Sequence, residues 1–184
     1  DDELEIIVGS EITSASGHIL ALNITENIQP HMSASDTIDA IHIQGGLAIA
    51  AHPYSYLPFL KDFKGVRELI YDSNVGRNFD AVEIRNSNPT EIINNHITQF
   101  INKRNFRTTV IGGSDSHFQS AIGKAFTIFP GKTKDELLDA IKNNKTKASG
   151  YVYGPFSVYK YIKDRLKWKN FCAEDPVNRE FHDW

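Results

Sequence analysis

The chain has 184 residues, 40% of them hydrophobic and 23% charged, which suits a single domain with a sizeable core and excludes disordered and collagen-like classes. No apolar run approaches the roughly 20 residues that a transmembrane helix needs, and no basic-then-apolar signal segment opens the sequence. A lone cysteine, Cys172, cannot form an internal disulfide and fits a reducing compartment, so a cytoplasmic location without a membrane partner is expected.

The formal net charge of −3 is unevenly spread. Residues 1–100 hold 5 basic and 14 acidic side chains (net −9), and residues 101–170 hold 14 and 5 (net +9). An acidic half can collect cations while a basic half attracts anions; solvated helix faces explain the same pattern.

In chain order, Leu4–Val8 reads as a short β-rich run. Because it begins so close to Asp1, a segment upstream is expected. A small-residue turn, Ser14-Ala15-Ser16-Gly17, leads to a second strand, His18–Ile24. A helix follows from Ser35 to Gln44, capped by Ser33 or Ser35, with Ile38 and Ile41 on one face and Gly45-Gly46 as its stop. Leu47–Ala51 is a continuous apolar run, short enough for a buried parallel strand, and it ends in His52-Pro53. A helix is predicted around Lys64–Tyr71, then a strand at Phe79–Ile84. Pro89–Lys103 is the clearest helix, with Ile92, Ile93, Ile97, Phe100 and Ile101 as an apolar stripe. Strands at Thr108–Ile111 and Ala125–Phe129 precede a helix at Lys134–Asn143 with Leu137, Leu138 and Ile141 inward. Strands alternating with helices argue for an α/β fold with parallel strands. Residues 1–150 form the main unit, and 151–184 an amphipathic helix (Phe156–Trp168) and a tail packed on it.

The candidate ligands sit at strand ends. Glu11 follows the first run, His52 the apolar strand, and Asp115 and His117 the strand that ends in Gly112-Gly113. In parallel α/β architectures the C-terminal strand ends gather at one face, where sites are assembled. In Asp115-Ser116-His117, extended backbone sends alternate side chains to one side. His18 opens the strand returning from Glu11. Mixed imidazole and carboxylate donors suit Zn²⁺, Mn²⁺ or iron, and clustered divalent ions would activate water against an oxyanion substrate.

The ordered set Gly9-Ser10-Glu11-Ile12-Thr13, Gly17-His18-Ile19-Leu20-Ala21-Leu22, Gly45 through Pro53, Val82-Glu83-Ile84 and Gly113-Ser114-Asp115-Ser116-His117 resembles the PHP (polymerase and histidinol phosphatase) family of metal-dependent phosphoesterases. The resemblance implies a distorted (β/α)7 TIM-like barrel with two or three divalent ions, Mn, Fe or Zn. It implies Glu11, His18, His52, Asp115 and His117 as ligands, and a metal-activated water rather than a side chain as nucleophile. The substrate would be a phosphorylated small molecule or a nucleotide, with nucleic acid as a further candidate. The family's opening His-x-His motif is missing from these 184 residues. The chain is therefore expected to hold part of the barrel, with the N-terminal portion on another chain or segment.

Other residues carry weaker signals. Glu83, Arg85 and Lys124 are candidates for contact with substrate, Arg as a bidentate partner of phosphate and Lys as a point charge. His42, His96, His31 and His182 read as packing, surface, loop and tail. The basic run Lys160, Lys163, Arg165, Lys167 and Lys169, interleaved with Tyr159, Tyr161 and Trp168, reads as a packed amphipathic helix rather than a nucleic-acid surface. A metal-dependent amidohydrolase is an alternative, disfavoured because no lysine stands at a strand end. A non-catalytic remnant that binds metal or a partner is another.

Overall fold

The computed structural model describes residues 4–55, 66, 78–157, 159, 160, 162 and 163. The elements are β1 (Gly9–Ser14), β2 (Gly17–Leu22), α1 (Ala34–Ile43), β3 (Leu47–Ala50), β4 (Ala81–Asn86), α2 (Ile92–Ile101), β5 (Thr109–Gly113), β6 (Ala125–Ile128), α3 (Lys134–Lys142) and β7 (Lys147–Gly150). The helix expected at Lys64–Tyr71, the basic run beyond Lys163 and the tail lie outside the described residues. Positions 155–157, 159, 160, 162 and 163 are helical, as expected for the start of that segment.

One five-stranded sheet, ordered β1-β2-β3-β4-β5, forms the frame. Only β3-β4 and β4-β5 pair in parallel; β1-β2 and β2-β3 are antiparallel. The fold is therefore mixed α/β, and the described residues form an open sheet in which the expected partial (β/α)7 barrel is not seen. A two-residue turn explains the antiparallel pairing of β1 with β2. Ala15 and Ser16 join Ser14 to Gly17 directly across the ladder, and so short a link cannot make a parallel crossover. The Ser14 hydroxyl closes the turn by donating to the Gly17 carbonyl at 2.6 Å.

The first strand is also displaced from its expected place. Leu4–Val8 is not a strand, and Leu4, Ile6 and Val8 are exposed. The register with β2 instead makes Gly9–Ser14 the strand, so Glu11 lies within β1 rather than after it.

The sheet buries both faces. Ala48 and Ala50 face Ile38 and Ile41 of α1, while Leu47 and Ile49 face Leu138 and Ile141 of α3. This alternation follows from the period of two along a strand, and it makes β3 fully buried. Helix α1 starts where Ser33 accepts from the Asp36 N–H at 3.1 Å and stops at Gly45, whose φ of +74° favours glycine. Helix α3 opens on a capping box between Thr133 and Glu136; the backbone N–H groups of Lys132 and Thr133 hold the Glu136 carboxyl below its usual range.

Helix α2 departs most from expectation. Ile92, Ile93, Ile97 and Phe100 point outward, Ile93 70% and Phe100 58% exposed, while Ile101 is half-buried. The buried side chains are Asn95 and Thr98 on the helix, with Glu91 just before it and Asn102 just after it. The reason is hydrogen bonding. Glu91 accepts from the Ser55 hydroxyl at 2.6 Å, Asn95 brackets the Asn86 backbone, and Asn102 brackets Thr108. Burying a polar group is tolerable when it is fully bonded. The helix proper ends at Ile101, and a π-helical turn, Asn102–Phe106, continues it.

Beyond β5 lies a two-stranded ribbon of β6 and β7; β7 had no counterpart in the sequence reading. Thr127 of β6 bonds both the N–H and the carbonyl of Gly112, at 3.0 and 2.9 Å. A Cβ at Gly112 would stand 2.6 Å from the Phe126 carbonyl oxygen, so this approach requires glycine. Among the described residues no helix is long and apolar enough to cross a membrane.

Candidate metal centre

Three strands bring Glu11, His18 and His52 together. Glu11 comes from β1 and His18 from the start of β2. His52 follows β3, and the antiparallel register that pairs Ile19 with Ala50 sets His18 beside that C-terminal strand end. The Glu11 Oε1 atom lies 2.8 Å from His18 Nδ1 and 3.2 Å from His52 Nε2. The two imidazole nitrogens are 3.4 Å apart, with the rings edge to face.

This spacing fits a metal ion. Ligand atoms about 2.1 Å from a tetrahedral ion stand about 3.4 Å from one another, so the three donors already occupy positions close to three corners. One carboxylate oxygen and two imidazole nitrogens also form a donor set typical of Zn²⁺, Mn²⁺ or iron. Without an ion, protons hold the group together. Hydrogen bonds from His18 and His52 keep the Glu11 carboxyl well below the ordinary range. Burial opposes a charge on His52, yet Glu11, Glu83 and Asp115 outweigh it and raise the imidazole to about 9. Among the described residues its Nδ1 atom finds no hydrogen-bond partner.

Glu83 lies directly behind this group. It is 3% exposed, its Oε2 accepts from the His52 backbone N–H at 2.9 Å, and burial pushes its carboxyl up to about 7. Gly113 makes room for it, since a Cβ there would stand 2.7 Å from Glu83 Oε1. Glu83 is thus a buried support rather than an exposed contact.

Asp115 follows β5 and is joined to Glu83 through Asn86, whose side-chain N–H₂ donates to both carboxylates at 3.1 Å. His117 is 67% exposed, with Nδ1 3.8 Å from Asp115 Oδ1 and 3.2 Å from the Asp115 carbonyl. The mutually close donors are Glu11, His18 and His52; Asp115 and His117 stand outside that set. Arg85 is half-buried on β4. The Lys124 ammonium is engaged by the Tyr151 hydroxyl at 3.0 Å and stands over its ring. Of the histidines set aside, His42 bonds Asp80, while His31 and His96 are exposed.

His52 and Asp115 share a backbone feature, with φ of +24° and +44°. Non-glycine residues in this region carry strain that is concentrated at functional sites.

Sequence reasoning missed Asn86, Asn95, Ser55 and Glu91. A signal existed: Glu91, Asn95, Thr98 and Asn102 recur at helical spacing, as regular as the apolar stripe that drew the assignment.

Residues 92–146 match the family described as PHP-associated. Over 84 residues the chain is 38% identical to an uncharacterized protein of Methanocaldococcus jannaschii, covering 46% of this chain and 44% of that protein. PsfC from Pseudomonas syringae shares the fold with a TM-score of 0.60 at 19% identity, over 87% of this chain and 65% of PsfC. A two-domain protein from Bacteroides vulgatus, containing a predicted PHP-like metal-dependent phosphoesterase, has a TM-score of 0.52 at 19% identity, over 79% of this chain and 44% of that one. The chain thus spans less than two thirds of the length of each. The chain is thus similar to PHP-family proteins, through a PHP-associated segment at residues 92–146 and a fold shared with a PHP-like neighbour.

Proposed function

We infer that this chain contributes to the metal-dependent hydrolysis of phosphate esters, either a phosphomonoester or a nucleotide-type phosphodiester. The observation that carries the reading is the convergence of Glu11, His18 and His52 within 3.4 Å of one another. Asp115 and His117 are proposed to complete the ligand set. Bound divalent ions would bring water close to its ionised form at neutral pH and would offset charge on the leaving oxygen.

The protein's own groups prepare that chemistry. Glu11 offers a carboxylate that stays ionised, and His52 would hold an ion through Nε2 once that nitrogen gave up its proton. Glu83 anchors the His52 backbone from below. Arg85 and Lys124 are proposed as phosphate contacts, Lys124 after leaving Tyr151. His117 stands apart from the close donor group, which favours a second reading: a chain that binds metal without turnover.

Metal analysis of the intact protein, followed by a screen of phosphomonoesters, nucleotides and short oligonucleotides, tests both readings. More than one equivalent of Mn, Fe or Zn is expected, with hydrolysis that collapses in His52→Ala and Asp115→Ala. Metal without turnover on any substrate selects the second reading, and no metal removes both.

A further inference from the structure

Asn86 closes β4 and is fully buried, and each of its polar atoms has a partner. Its backbone N–H donates to Asn95 Oδ1 at 2.9 Å, and its carbonyl accepts from Asn95 Nδ2 at 2.8 Å. Its side-chain Oδ1 accepts from the Asn88 N–H at 2.8 Å. The two protons on Nδ2 go to two different carboxylates, Glu83 Oε2 and Asp115 Oδ2.

We propose that Asn86 is a positioning residue that holds Glu83 and Asp115 in one frame, so that the His52 side and the Asp115 side of the metal centre are set relative to each other. The proposal rests on the metallophosphoesterase reading.

The chemistry of the amide supports this role. Two ionised carboxylates brought near each other repel, and a neutral group with two N–H donors is the smallest side-chain unit that satisfies both without adding charge. Aspartate at this position has the same shape but, when ionised, only accepts, and it adds a third negative charge. Serine has a single proton to give. The connection also extends beyond Asn86. Glu83 holds the His52 backbone, so one line of hydrogen bonds crosses from beyond the end of β3 through β4 to Asp115, two residues past β5. Asn95 fixes that line from behind, which gives the buried polar face of α2 a purpose. A side chain that merely filled the core would need none of these bonds.

The test uses the intact protein, stripped of metal, with Mn²⁺ as the probe. Asn86→Asp and Asn86→Ser are expected to weaken Mn²⁺ binding about 10- to 100-fold by calorimetry, the range typical for groups that orient metal ligands, while circular dichroism shows both variants folded. If both fail to fold, the metal-free wild-type protein still decides the matter by NMR. The two Asn86 side-chain amide protons should exchange slowly, and their resonances should move in Asp115→Ala but not in His117→Ala. Amide protons that exchange freely and ignore Asp115→Ala overturn the proposal. So does Mn²⁺ affinity within threefold of wild type in a folded Asn86 variant. A wild-type protein that takes up no Mn²⁺ fails differently, because it removes the metallophosphoesterase reading together with the purpose of the bridge.

Discussion

Helices α1 and α2 have the same length of ten residues and opposite interiors. The first buries Ala34, Ile38 and Ile41 against the sheet, and its polar side faces water. The second buries Asn95 and Thr98 and turns Ile92, Ile93 and Ile97 outward. Burial of apolar area drives the packing of α1. Helix α2 is fixed by directional bonds to the ends of β4 and to Ser55, three residues beyond His52. One helix therefore holds the sheet together, while the other braces the strand end behind the candidate metal site. A change inside α1 should act on stability alone, and a change inside α2 on stability and on the site together.

The largest separation between them is expected from Ile38→Ala, which should cost about 2–5 kcal/mol in denaturant unfolding and leave Mn²⁺ affinity per folded molecule unchanged. Loss of metal affinity beyond the unfolded fraction would break the contrast.

A pH series probes what α2 supports. Glu83 and His52 bind protons more tightly in the folded chain, at about 7 and about 9. Their stabilising contribution is complete below their ordinary values and is lost as pH rises through the folded ones. Glu11 has the opposite sign, losing its contribution only as acid protonates it. The melting temperature of the metal-free protein should therefore fall by several degrees between pH 5 and pH 9.5, and less so in His52→Gln. Added Mn²⁺ should give its largest gain at the alkaline end, because the ion requires a neutral imidazole. A flat profile in both proteins would show that these groups are not held as described.

Asn95→Ala strips both partners from the Asn86 backbone and should cost about 1–3 kcal/mol, with Mn²⁺ binding weakened in step. Stability loss with full affinity would reduce α2 to the same role as α1. Ser33→Ala, at the cap of α1, should cost about 1 kcal/mol without touching the metal. Ile93→Ala, on the outward face of α2, should stay within about 0.5 kcal/mol, and a larger loss would mean that this face is packed after all.

The same pair of helices shows how much the sequence disclosed. Both were legible as helices, because cap, period and stop are local signals written in neighbouring residues. The buried face of α1 was legible too. That of α2 was not, because its two stripes are equally periodic, and the choice between them depends on Asn86 and Ser55, which reach it only through the tertiary fold. The site behaves likewise. Glu11, His18 and His52 were named from their motifs and do meet. Glu83 was named as a residue that orients a ligand or contacts substrate, but its burial was not legible, because nothing in Val82-Glu83-Ile84 announces that β5 will cover it. The turn at Ser14–Gly17 and the strand returning from it were legible, but the apolar look of Leu4–Val8 drew the first strand away from Gly9–Ser14, where the ladder forms.

The backbone at His52 and Asp115 turns through the left-handed region, where glycine would sit more comfortably, and Glu83 is a carboxylate hidden from water. A directed-evolution campaign that rewarded heat resistance alone would therefore erode the centre at 83 first, where a neutral side chain that still accepts from His52 and Asn86 removes the buried charge and relieves the fold. Positions where such selection raises the melting temperature while abolishing metal uptake would mark out the functional residues without any substrate in hand.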